Sequence, residues 1–306
     1  MPAERKPGLD NPYFDWSPIA TRPKLTWPGN ARVALFLVLS VEHWQWKLPP
    51  EGYKSPELPG GVSGAGRPFP DVITYSMREY GHRVGIFRLM KLLDKYGFKA
   101  TVAIDSSIAG NYPYLINECK KRGYEFIAHG VAVNQMVSAK MSESEEREHL
   151  KTSIDTVAKA TGSKPLGWLG AEYGESERTN AILAEMGIKY NLDWPNDDQP
   201  YAMKAPKGEM YSLPLSMDLD DTFNHWYKRV HYDIYTQMIK DSFDVLYREG
   251  EKSGRVLGIN LHPWLSGQPF RYKLLDEALG YIAGREGVWS ATGSEIMEWH
   301  KKQTKR

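Results

Sequence analysis

"RVALFLVLSVEHW", residues 32–44, decides the fold. Residues 32–41 are almost wholly apolar. A strand written this way is buried on both faces, as in a parallel sheet. It then stops on Glu42, His43 and Trp44. Ionisable groups are costly in a core unless something pairs or uses them. In a parallel barrel, chemistry gathers at the C-terminal ends of the strands, and residues 42–44 stand at such an end.

Further strands are expected at 99–104, 124–129, 165–170, 188–194, 210–216, 255–262 and 287–292. Helical spacing marks 82–97, 112–123, 177–187, 231–252, 271–284 and a last helix from 292–295. One more helix is framed by a capping box, Ser142 with Glu145, and stopped by Gly162. About eight strand–helix alternations with no composition break imply parallel strands and right-handed crossovers. A closed (β/α) barrel and an open doubly wound sheet both fit. No G-x-G-x-x-G follows the first strand, which favours the barrel. Residues 1–30, rich in Pro and aromatics, read as an ordered arm. Residues 31–306 form one barrel domain. The Pro/Gly-rich stretch 48–71 is long enough to be a lid.

The 306 residues carry a net charge of +1, with 39 Lys and Arg scattered among 38 Asp and Glu. No basic track for nucleic acid or an anionic membrane is present. The single cysteine, Cys119, excludes an internal disulfide and a thiolate metal cage. No secretory signal or transmembrane run is seen, so a cytoplasmic protein is expected. Ten Trp and 18 Tyr suggest an aromatic pocket or a subunit interface.

The strand ends carry Glu42 and His43, Asp105, His129 with Asn134 behind it, Trp168 with Glu172, Asp193 with Trp194 and "NDDQP" (196–200), "MDLDD" (217–221), and His262. On one barrel mouth these converge into an acid/base site. Asp220 and Asp221 read as turn or helix caps. Arg78 and Glu79, in "REYGHRVG", read as surface or packing residues in a segment that returns from the long loop toward the mouth; His225, His231 and His300 read as surface or packing residues too.

Those motifs resemble a family. "SVEHW", "YSMREYGHRVGIFRLMKLLDKYGFKAT", "EFIAHG", "GWLG", "DWPNDDQPY" and "NLHPWLSGQP" are together similar to the polysaccharide-deacetylase superfamily. The resemblance runs from about Trp27 to Trp299. It is closest to the branch of allantoinase-like proteins and cyclic imide hydrolases. It implies a distorted (β/α) barrel and hydrolysis of a non-peptide C–N bond in an amide or cyclic amide. A carbohydrate N-deacetylase and a non-catalytic binding protein on the same barrel are the alternatives. Metal-dependent relatives place an Asp pair at the first strand end and two His four residues apart after the third. Here the pair is Glu42-His43, and Val133 stands four residues after His129. The metal set is therefore incomplete. The superfamily's Arg after strand four falls on Glu172, which points to a neutral or cationic substrate.

Amide hydrolysis needs an activated water, oxyanion stabilisation and a proton for the leaving nitrogen. Glu42 is the expected general base, its pKa raised by burial, and His262 the general acid. His129 and His43 are carbonyl donors or ligands. Trp44, Asn134, Trp168, Glu172 and Trp194 are expected to line the pocket, with Asp197 and Asp198 as acceptors for ring N–H groups. A metal-free site and one holding a weakly bound divalent ion such as zinc, on Glu42, His43 and His129, both stay open. The partner is a small amide. The resemblance adds a homo-oligomer, tetrameric in allantoinase-like relatives.

Overall fold

The computed structural model describes residues 12–47 and 70–304. Nine strands form one sheet: β1 Val33–Val41, β2 Thr101–Ile104, β3 Glu125–Ala128, β4 Gly167–Trp168, β5 Tyr190–Asn191, β6 Tyr201–Met203, β7 Met210–Ser212, β8 Arg255–Leu261 and β9 Val288–Ser290. Their order is β6-β7-β5-β4-β3-β2-β1-β8, with β9 also pairing β1. Every pairing is parallel except β6–β7. All nine residues of β1 are buried, as its unbroken apolar run requires. Each of the eight expected strands is present, though β4 and β5 shrink to two residues. The antiparallel β6 carries no clear alternation and is new.

The sheet curls with helices around it into a distorted α/β barrel. Its irregularity lies between β7 and β8. There no regular ladder forms. Two other segments run along β8 instead: the chain after β7, through one bridge between Asp220 and Asn260, and the loop between β5 and β6, through a bond from Val256 N to Asp198 O of 2.9 Å. The stretch 48–69, and with it the expected lid, lies outside the described residues.

The helices are α1 Val72–Tyr80, α2 Ile86–Tyr96, α3 Ser106–Asn111, α4 Pro113–Lys121, α5 Glu143–Thr161, α6 Thr179–Glu185, α7 Tyr232–Glu249, α8 Pro263–Ser266, α9 Pro269–Ala283 and α10 Gly293–Thr304. The Ser142–Glu145 capping box opens α5, and Gly162, at φ 82°, ends it. The helix expected from residue 82 begins ten residues earlier. A π turn at Gly81–Gly85 joins α1 to α2. Two glycines there let the turn press on α8. A Cβ at Gly85 would lie 2.0 Å from Pro263 O, and one at Gly81 would lie 2.7 Å from Trp264 N. The residue before Pro263 is His262, so this contact fixes the end of β8 against α1.

The arm is tied to the body. Trp27 is buried, Tyr13 and Phe14 pack on Trp194, and Arg22 pairs with Asp197 at 2.5 Å. Much of the aromatic excess is simply core: Trp27, Trp44, Trp168, Tyr190 and Tyr235 are fully buried. Among the described residues no helix is long and apolar enough to cross a membrane.

Candidate active site

Strand register gathers the site. Val41 pairs with Ile104, Ile104 with Ala128, and Leu39 with Leu261. The next residues along β1, β3 and β8 are Glu42 (one past Val41), His129 and His262. All three are buried. Glu42 Oε1 lies 3.4 Å from His129 Nε2 and 3.3 Å from His262 Nε2. A cavity of about 220 Å³ opens beside them, lined also by Ser40, Glu172, Tyr173, Asp220, Phe223, Tyr227 and Asn260.

Each ring is oriented from behind. His129 Nδ1 donates to Leu169 O at 2.6 Å, because a carbonyl can only accept. His262 Nδ1 donates to Asp221 Oδ1 at 2.6 Å, and the His262 backbone N–H reaches Asp221 Oδ2 at 2.9 Å. Ser266 Oγ also donates to Oδ2 of that carboxylate. His262 thus sits between two carboxylates. Burial alone would depress its pKa, but the charges of Glu42 and Asp221 outweigh burial and hold it well above the usual imidazole range.

Glu42 is the converse, and here the expectation is corrected. Burial does push its pKa up. The charges of His262 and Arg78, with hydrogen bonds from His129 and His262, outweigh that push and hold it well below the ordinary carboxylate range. Arg78 is the reason the sequence reading failed. It is not a surface residue: it is buried, its Nε lies 3.2 Å from Glu42 Oε2, and its guanidinium sits 4.0 Å from the centre of the Trp264 ring. Its place on α1 was hidden because the apolar stripe of α2 drew the helix start to residue 82.

Asp221 was also misjudged. It orients His262 rather than capping a turn. Its neighbour Asp220 does cap, accepting from Phe223 N at 2.7 Å, but it also lines the cavity and accepts from Tyr173 and Asn260, each at 2.7 Å. Only a partner strand separated by some forty residues reveals these roles.

Of the residues expected to bind substrate, Glu172 lines the cavity. His43, Trp44, Asn134, Trp168, Trp194, Asp197 and Asp198 do not. The pleat turns His43 away from Glu42, and its ring packs edge-on to Tyr75. Trp44 is buried beneath Arg78, 6.0 Å from the guanidinium. Asn134 is buried and accepts from Gln45 N at 3.3 Å. Trp168 belongs to the core. Trp194 donates to Glu175 at 3.1 Å under the arm. Asp197 holds Arg22, and Asp198 lines a separate groove between the arm and the body. Asp105, at the end of β2, caps α3 through Ile108 N at 2.8 Å and accepts from His43 N at 2.5 Å.

The residues present do not fit a divalent metal. The trio Glu42, His43 and His129 is broken by the direction of His43. Among the described residues, Asp220, Asp221 and His262 alone bring three ligand atoms within 4.8 Å of one another. Their lone pairs are spent on Tyr173, Asn260, Phe223 N, Ser266 and each other. The charge beside Glu42 is already supplied by Arg78.

Residues 73–191 match the protein-family model for polysaccharide deacetylase, a span that includes His129 but neither Glu42 nor His262. A Schizosaccharomyces pombe protein named for polysaccharide deacetylases is 27% identical over 310 residues, covering 93% of this chain and 94% of its own. Among solved structures, Puue allantoinase superposes with a TM-score of 0.79 at 27% identity, covering 92% of this chain and 95% of that one. A Pseudomonas aeruginosa PAO1 structure, also named for polysaccharide deacetylases, gives a TM-score of 0.80 at 28% identity over the same shares.

Proposed function

This chain carries a polysaccharide deacetylase domain, and we propose from that premise that it hydrolyses a non-peptide C–N bond in a small amide or cyclic amide. The observation that carries the reading is the meeting of Glu42, His129 and His262 beside one cavity. His129, turned by its Nδ1 bond to Leu169 O, presents Nε2 to the cavity beside Glu42 Oε1. Water held between that nitrogen and Glu42 Oε1 is aimed into the cavity. Glu42 takes the proton as the water attacks the carbonyl carbon. A carboxylate held far below its ordinary pKa is a weak base, but it is always ionised and never needs to lose a proton first. His262, kept protonated by Glu42 and Asp221, gives its Nε2 proton to the leaving nitrogen. The C–N bond breaks and a carboxylic acid and an amine result.

The cavity volume and the Puue allantoinase likeness favour a compact amide or ureide. The names of the Schizosaccharomyces and Pseudomonas relatives favour a second reading, removal of an acetyl group from a sugar amine. Hydantoins, cyclic imides and acetylated chitin oligomers assayed side by side separate the two. Glu42→Gln and His262→Ala should each lower kcat on the cognate amide by a factor of about 10² to 10⁴. Unchanged turnover in both variants would remove the assignment.

A further inference from the structure

We propose that Glu172 is a specificity residue, and that the cavity selects an amide bearing a second, positively charged nitrogen. The inference rests on the hydrolase reading for the reacting end of the cavity and deepens it at the other end. Two of the three acids of the lining differ in company. Glu42 is neutralised by Arg78 and His262. Glu172 makes no ion pair among the described residues, and it accepts one hydrogen bond, from Tyr227 at 2.9 Å. Among the described residues no Lys or Arg lines the cavity with it, and His262, which does, is paired with Glu42 and Asp221.

The rings of Tyr173, Phe223 and Tyr227 share the lining with Glu172. The last two lie 6.0 Å apart at 42°. Aromatic faces beside a carboxylate that has no ion-pair partner among the described residues suit an ammonium or amidinium, whose charge is attracted to both. They suit an anion poorly. The Phe223 ring already receives one ammonium: Lys228 Nζ lies 4.8 Å from its centre, outside the cavity, and is paired with Asp218. Glu172 and Tyr173 both hold left-handed backbone, at φ 52° and 57°. Non-glycine residues keep that conformation only where the surroundings enforce it, so the backbone under the carboxylate is fixed, and the Tyr227 hydroxyl holds the carboxylate on the lining.

Two matched series test this. One is N-acetylputrescine, N-pentylacetamide and N-acetyl-γ-aminobutyrate. The other is the hydantoins of ornithine, norleucine and glutamate. Binding is measured by calorimetry for all six, and kcat/KM for each member that turns over. The cationic member should lead its neutral isostere by about tenfold or more, a gap of about 1.4 kcal/mol. Glu172→Gln should bring that ratio near unity, and Glu172→Lys should favour the anionic member, with circular dichroism confirming that each variant is folded. Equal or better binding of the neutral or anionic members to the unaltered protein, the same ranking in Glu172→Gln, or no binding of any member would overturn the proposal. Charge-ranked binding without turnover would sustain it while defeating the hydrolase reading. Turnover without charge ranking would do the reverse.

Discussion

Arg78 Nε and Glu42 Oε2 lie 3.2 Å apart, both side chains buried, while the other oxygen of that carboxylate faces His129 and His262. The pair joins the first helix to the end of the first strand. It places a fixed positive charge behind the group assigned to accept the water's proton.

Replacing Arg78 by Met removes one of the cations that hold the Glu42 pKa down. Breaking a buried pair costs about 3–5 kcal/mol. His262 still faces Glu42, so the lower end is expected in chemical denaturation. The depressed Glu42 pKa contributes stability above the ordinary value of 4.5, and that contribution is lost as pH falls through the native value. In the variant the native value rises, so the acid limbs of both stability and kcat/KM should move to higher pH. An unmoved acid limb would show that Arg78 does not act on Glu42.

His262 has the opposite sign. Its raised pKa contributes stability that is full below the ordinary 6.5 and is lost as pH rises through the native value. Asp221→Asn removes one of its two carboxylates and so lowers that native value. The alkaline limb of kcat/KM should then shift toward neutrality, with kcat reduced by a factor of about 10² or more. A pH titration of kcat/KM in both proteins reads the shift directly.

Gly85→Ala tests the packing of the π turn on α8. Its Cβ would meet Pro263 O at 2.0 Å, a backbone atom that cannot step aside cheaply. Overpacking of this kind costs about 1–3 kcal/mol. Because Pro263 follows His262, kcat should fall along with the melting temperature, although the substituted residue does not line the cavity.

Metal removal should change little. The carboxylates of Asp220 and Asp221 already accept from protein donors, and His262 Nδ1 is itself one of those donors. Exhaustive dialysis against a chelator is expected to leave kcat/KM within about twofold, and elemental analysis to find less than one equivalent of zinc. A large loss restored by a divalent ion would mean that the side chains rearrange around it.

Much of this protein was legible in its residues. The unbroken apolar run of β1 implied burial on both faces, and the strand–helix rhythm implied parallel pairing. Glu42, His129 and His262 were visible because each closes an apolar strand, where a titratable group stands out. Those signals are local: period, burial pattern and position at a strand end. What the sequence left open was company. Trp168, Trp194 and the acids of "NDDQP" have the right chemistry and stand near strand ends, yet the pleat and the turns direct them into the core or under the arm. Arg78 and Asp221 lie in stretches that read as surface or turn. Only the curl of the sheet and the seating of α8 on Gly81 and Gly85 bring them against Glu42 and His262. Direction and distance between residues remote in the chain depend on the whole packing, and the ionisation of Glu42 depends on those distances in turn.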